Sequence, residues 1–215
     1  HRHTGQSDLL VGVSTGNRTA AESEQLIGFF VNALVLRARV AGDQPFRALL
    51  AQVKETCLGA YAHEEMPFER LVMELSPGHD LARSPLFQVM LTMQGAASNP
   101  PALDGLEVSA PSAESSTAKF DLTFLVSDAP EGKLVTIEYA TDLFEAATIE
   151  RLLARFVRLL QGIAARPEAT IASLPLLDEE ERQRLLVGWN ATTPSFSTEL
   201  PLHALFEAQV DQRPD

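Results

Sequence analysis

Cysteine is nearly missing from this 215-residue sequence: Cys57 is its one thiol. One cysteine cannot close an internal disulfide, so the fold must be held by its core, and a reducing, cytoplasmic setting fits. Cys57 lies in a strongly helical stretch, where a buried, inert thiol is the ordinary outcome and a nucleophile the exception. Basic residues are scarce too, 17 Lys plus Arg against 29 Asp plus Glu, for a formal charge of −12. Phosphate binding draws its affinity from clustered Lys and Arg, and no basic run or RNA-stacking motif occurs, which argues against a nucleic-acid partner. No apolar stretch reaches the ~18 residues that a membrane-spanning helix needs, and no signal-peptide pattern opens the chain, so the protein reads as soluble with no membrane partner. Paired Cys or His at metal spacing, a phosphate-gripping Gly-rich loop and internal repeats are also missing, which leaves a metal or a directly bound cofactor without support.

What is present is an ordinary globular composition, 45% hydrophobic with 12 Gly and 13 Pro, enough for one sizeable core. Asp8 to Val13 reads as a strand, broken by Thr15-Gly16-Asn17, and Ala20 to Gln25 as a helical turn. A dense apolar run follows, and its composition predicts a long core strand from Phe29 to Val40. Phe46, Leu49, Leu50, Val53, Cys57, Leu58 and Tyr61 recur at helical spacing, predicting a helix over 45–62 that lies on a sheet. Pro67 opens a second short helix carrying Phe68, Leu71, Val72 and Leu75, ended by Ser76-Pro77-Gly78. Leu86 to Met93 reads as a strand. Gly95 to Asp104 and Ala110 to Ala118 read as loops. Leu106 to Ser109, Phe120 to Ser127 and Lys133 to Ala140 read as strands, the last two joined across Ala129-Pro130-Glu131-Gly132. Ile149, Leu152, Leu153, Phe156, Leu159, Leu160 and Ile163 line one face of a helix over 146–165. Beyond Arg166-Pro167 come an acidic helix from Asp178, a turn-like Asn190 to Ser197, and a last helix over Leu202 to Val210 broken by Pro214.

One polar residue, Asn32, interrupts the run Leu26-Ile27-Gly28-Phe29-Phe30-Val31-Asn32-Ala33-Leu34-Val35-Leu36-Arg37. An unpartnered buried amide costs about 1–3 kcal/mol, so Asn32 is either satisfied by neighbouring backbone or turned toward a cavity.

This run resembles the motif Ile/Val-Gly-x-Phe-Val-Asn-Thr followed by Arg in condensation domains of non-ribosomal peptide synthetases. Three further blocks are similar to the same family in the same order. They are His1 to Gly12 leading into Val13-Ser14-Thr15-Gly16-Asn17-Arg18-Thr19, then Ala60-Tyr61-Ala62-His63-Glu64-Glu65-Met66-Pro67-Phe68-Glu69-Arg70-Leu71-Val72, and finally Asp80-Leu81-Ala82-Arg83-Ser84-Pro85-Leu86-Phe87-Gln88. The likeness continues through Phe120-Asp121-Leu122-Thr123 and Glu138 to Phe144, and Leu202 to Val210 looks like the opening helix of an adenylation domain.

The resemblance implies an α/β fold, the C-terminal lobe of a chloramphenicol-acetyltransferase-like domain, with a mixed sheet flanked by helices. Residues 1–174 would form that lobe, 175–199 a linker, and 200–215 the start of an adenylation domain. The family's catalytic signature, His-His-x-x-x-Asp-Gly, is absent: none of His1, His3, His63, His79 and His203 has a His neighbour. The implied activity is amide bond formation between a carrier-bound acyl or peptidyl thioester and an aminoacyl thioester. The implied partners are the N-terminal half of the domain, the upstream and downstream carrier proteins with their phosphopantetheine arms, and the adjacent adenylation domain. By itself this half is expected to be catalytically silent. The Asn17-Arg18-Thr19 and Phe-Phe-Val-Asn stretches look more like condensation domains joining two L-residues than like cyclisation or epimerisation relatives.

For individual residues the resemblance makes Arg18 the structural partner of the missing motif's Asp, and Asn32 and Ser84 candidates for lining the substrate tunnel. Departures bear on these roles: Ser84 stands where the family often has Asn, Ala33 where it often has Thr, and Ser14 where it usually has Pro. Each of the first two removes hydrogen-bonding capacity. The plainer alternatives are a solvated Arg18 and a satisfied core Asn32. His63 is read as a helix-terminal residue near carboxylates, Pro67-Phe68 as structural, and Thr141-Asp142 as a turn. The rival from another class is a non-catalytic module that docks a carrier or scaffolds its neighbours.

Overall fold

Two antiparallel strands open the fold. β1 (Asp8–Thr15) and β2 (Asn32–Arg39) pair from Asp8 opposite Arg39 to Thr15 opposite Asn32. This computed structural model describes residues 1–18, 21–75, 83–94, 105, 117–129, 131–192 and 201–213, which divide into two compact units, His1–Leu176 and Leu177–Asp215. In the first unit the chain continues through helices α1 (Phe46–Tyr61) and α2 (Phe68–Leu75) into β3 (Val89–Gln94), then through β4 (Leu122–Ala129) and β5 (Gly132–Tyr139) to α3 (Ala146–Ala165). The sheet has five strands in the order β2-β1-β3-β4-β5. It is mixed: β1 and β3, and β3 and β4, run parallel, while β4 and β5 form an antiparallel hairpin. Gly132 enters β5 at φ 137°, a region that only glycine reaches freely.

Directly paired residues share a face of the sheet, so Leu9 with Ala38, Val13 with Leu34, and Thr15 with Asn32 look the same way. Leu9 and Ala38 pack on a core of Val40, Ile171 and Leu174, together with Phe46 and Leu49 of α1 and Leu159 and Ile163 of α3. Phe124 of β4 meets Phe156 of α3 with ring centroids 5.6 Å apart. Arg2 ties down the connection after α3 by donating to the carbonyls of Ile171 and Leu174. Gly162 of α3 is buried against Pro175, whose ring leaves no space for a Cβ.

Behind β1 sits Phe87, the most deeply buried large side chain among the described residues, at 1% exposure. Gly12 makes room for it, since a Cβ there would overlap the ring. Phe87 also stacks on Phe68 of α2 at 5.5 Å and on Phe120 at 5.2 Å. Before it, Leu86 adopts φ 67°, a strained conformation for a branched side chain that swings the next residue inward.

Sequence-based strand starts are corrected: β4 begins at Leu122 instead of Phe120, and two others move further. β2 begins at Asn32 instead of Phe29, because β1 ends at Thr15 and no described strand offers the preceding residues a ladder. Leu26, Ile27, Phe29 and Val31 are consequently exposed. β3 begins at Val89 instead of Leu86, because the positive φ of Leu86 is incompatible with a strand. Leu50, Leu58, Tyr61, Leu75 and Leu160, expected on covered helix faces, are exposed. The turn expected over 76–78, the loop over 95–104, the strand over 106–109, most of the loop over 110–118, residues 193–197 and Pro214 lie outside the described residues.

The second unit contains α4 (Glu179–Gln183), a π-helical turn over 184–188 and α5 (Leu202–Gln212). Asp178 caps α4 by accepting from the Glu181 N–H at 2.6 Å.

Candidate functional site

A cavity of about 700 Å³ lies between the start of β2, α2 and the segment that precedes β3. Phe30, Val31, Asn32 and Ala33 form one wall, while Phe68 and Val72 of α2 form another. Met90 and Phe120 extend the apolar lining, and Ser84 and Pro85 border it. Glu65, Glu69 and Lys119 are exposed and contribute charge at its margin. The site is therefore an open, mainly apolar recess with a polar rim.

Asn32 and Ser84, singled out from the sequence, are brought to this one cavity although 52 positions separate them. Ser84 is half-buried, and its carbonyl accepts from Gln88 Nε2 at 3.0 Å. The amide of Asn32 donates through Nδ2 to the carbonyls of Glu64 and Met66, both at 2.8 Å. Its Oδ1 accepts from the N–H of Ala33 at 2.9 Å and of Phe68 at 3.2 Å. Thr15 Oγ1 donates to the Glu64 carboxylate and accepts from the Asn17 N–H at 3.2 Å. Asn17 takes the left-handed conformation, φ 47°, which Asn tolerates better than most residues.

Arg18 does not line the cavity, but it stacks on a residue that does. Its guanidinium carbon sits 4.2 Å from the Phe30 ring centroid, and Nη1 donates to the Ser23 carbonyl. Among the described residues no carboxylate pairs with it. His63 is exposed just beyond α1, and Cys57 is half-buried within it. Among the described residues no cluster of His, Cys, Asp or Glu could hold a metal ion, and no helix is long and apolar enough to cross a membrane.

Sequence reasoning missed Met90 and Phe120 as lining residues, and Phe87 as the residue that backs the site. Strand alternation in β3 could have flagged Met90, whose neighbour Leu91 must face the other way. Nothing local signalled that Phe87 would turn inward, since that depends on Leu86 and on the space above Gly12.

A family model described as "Condensation domain" matches residues 1–186. A linear gramicidin synthase of Brevibacillus parabrevis is 44% identical over 217 residues, covering 100% of this chain, and this chain spans 4% of that protein's length. The X-domain from teicoplanin biosynthesis, solved in complex with OxyB, superimposes with a TM-score of 0.73 at 26% identity, over 83% of this chain and 40% of that one. The first condensation domain of the CDA synthetase gives a TM-score of 0.64 at 27% identity, over 83% of this chain and 39% of that one. The five-stranded mixed sheet flanked by helices is the chloramphenicol-acetyltransferase-like α/β arrangement of these domains. By sequence and by fold, this chain belongs to the condensation-domain family of non-ribosomal peptide synthetases.

Proposed function

We propose that residues 1–174 are the C-terminal lobe of a condensation domain that joins a carrier-bound acyl or peptidyl thioester to a carrier-bound aminoacyl thioester. The observation that carries this reading is coverage: more than four-fifths of the chain matches about two-fifths of solved relatives. In the reaction the acceptor's amine attacks the donor's thioester carbonyl, a tetrahedral oxyanion forms, and the donor carrier's phosphopantetheine thiol leaves as the amide closes. The sequence contains no His-His-x-x-x-Asp-Gly, so the group that handles the amine's proton would come from the N-terminal half. This lobe supplies the opposing tunnel wall, where Asn32 and Ser84 stand beside the apolar side chains of Phe30 and Phe68. Arg18, held by Phe30 and the Ser23 carbonyl, presents its remaining N–H groups to the Asp of the missing motif.

Residues 175–199 are read as a linker and 200–215 as the beginning of an adenylation domain, which is consistent with the division after Leu176. The carriers bring both phosphopantetheine arms, this chain binds no cofactor directly, and the parent synthetase works in the cytoplasm. The test mixes this chain with the N-terminal half and two loaded carriers, followed by intact mass of the downstream carrier. A dipeptide that requires both halves supports the condensation reading. No product from a folded, assembled pair with suitable substrates overturns it. A second reading, a non-catalytic docking module, is favoured by one observation, the likeness to an X-domain solved in complex with OxyB.

A further inference from the structure

A primary amide has two donor hydrogens and two acceptor lone pairs, and Asn32 engages all of them within the protein. The orientation is unambiguous: both groups facing Nδ2 are carbonyls, and both facing Oδ1 are backbone N–H groups. Turning the amide over would set donor against donor and acceptor against acceptor. Three of the four partners, Glu64, Met66 and Phe68, belong to the α1–α2 connector and the first residue of α2. Glu64 is held a second time, through its carboxylate, by Thr15, which sits opposite Asn32 in the β1–β2 ladder. The start of β2 thereby dictates where the connector turns and where α2 begins. That start places Phe68 against Phe87 and turns Val72 into the cavity wall.

We propose that Asn32 is a positioning residue: its amide clamps the α1–α2 connector to the sheet and makes no hydrogen bond to anything that enters the cavity. The functional consequence rests on reading the cavity as a substrate tunnel, whereas the clamp does not. Polar selection of an acceptor then falls to Ser84, to Asn17 and to the charged margin of Glu65, Glu69 and Lys119. Asn32→Asp sharpens the distinction, since a carboxylate of the same shape loses both donors and turns an anionic oxygen toward two carbonyls.

The test begins with the unmodified 215-residue chain and no substrate. In NMR spectra the Asn32 side-chain NH₂, identified by its loss in Asn32→Asp, should exchange with solvent at least about tenfold more slowly than a free asparagine amide. Exchange at the free rate would overturn the proposal. In Asn32→Asp, amide exchange at Phe68 and across 62–67 should accelerate by roughly tenfold, while β4 and β5 keep their protection. An unchanged connector in a folded variant would also overturn it. If β4 and β5 lose protection as well, the measurement on the unmodified chain decides. In the two-half condensation assay, Asn32→Asp should lower product by the same factor for every acceptor offered, and a loss confined to one class of acceptor would identify a substrate contact and sink the clamp. Failure of the condensation reading appears separately, as no product from the unmodified pair while the exchange results stand.

Discussion

The segment 26–31 is the more apolar of two neighbours, since 32–40 carries Asn32, Arg37 and Arg39, yet it is the second that is covered. In the second, Leu34 and Val40 are buried, at 6% and 9% exposure. In the first, Ile27 is 105% and Phe29 91% exposed. The difference is a partner: residues 32–39 have β1 beside them, and β1 ends at Thr15. Apolar composition states that a segment is to be covered, but only pairing and packing state by what. In the lobe reading, the cover for 26–31 is the other half of the domain.

The largest expected effect sets these regions directly against each other. Leu34→Ala should lower unfolding stability by about 2–5 kcal/mol, because it opens a hole behind the sheet, whereas Ile27→Ala should change it by less than about 0.5 kcal/mol. Urea titrations of both variants measure this, and equal losses would erase the contrast. Glycines give a smaller, sharper version. Gly12→Ala drives a methyl into the Phe87 ring and should cost about 1–3 kcal/mol. In Gly28→Ala the new Cβ meets only the edge of the Phe30 ring, at 3.0 Å, and that ring can give way. Matching chemical denaturation curves for the two would show that Phe87 is less tightly held than its burial implies.

The smallest effect lies at the far end of the β1–β2 ladder. Arg37 donates to both oxygens of the Asp8 carboxylate, at 2.8 Å and 2.6 Å for the closest contacts, and this holds the Asp8 carboxyl below its ordinary value of 3.8. A carboxyl lowered on folding stabilises above its ordinary value, and that contribution is lost as pH falls through the lowered one. The pair is solvent-exposed, so the effect is slight. Thermal melts of Asp8→Asn should therefore fall just below the unmodified chain at neutral pH and converge with it in acid. A gap that widened in acid would contradict the sign.

Helices were readable because their signal is local. The apolar spacing from Ile149 to Ile163 is a property of consecutive residues, and α3 spans Ala146–Ala165 as that spacing predicts. Likewise α1 covers Phe46–Tyr61, and the hairpin of β4 and β5 turns at Gly132. The start of β2 was not readable, since the pattern of Phe29, Phe30 and Val31 is as strand-like as that of Leu34 and Val35. The backbone at Leu86 was hidden as well, because its strain is tolerated only where Phe87 has the space above Gly12 to fill.

By itself the sequence determined the class of this protein, its helices, the order of its motif blocks, and the identity of Asn32 and Ser84 as residues to watch. The helices follow from short-range periodicity and Asn32 stands out as a polar break in an apolar run, whereas the class, the block order and Ser84 come from the resemblance that the motifs carry. The tertiary structure decided which apolar residues are covered, that Asn32 and Ser84 border one cavity, and that the Asn32 amide is bound to backbone 32 to 36 residues away, apart from its neighbour Ala33. A hydrogen bond or a packed ring needs two partners, and when they lie far apart in the chain only folding brings them within reach.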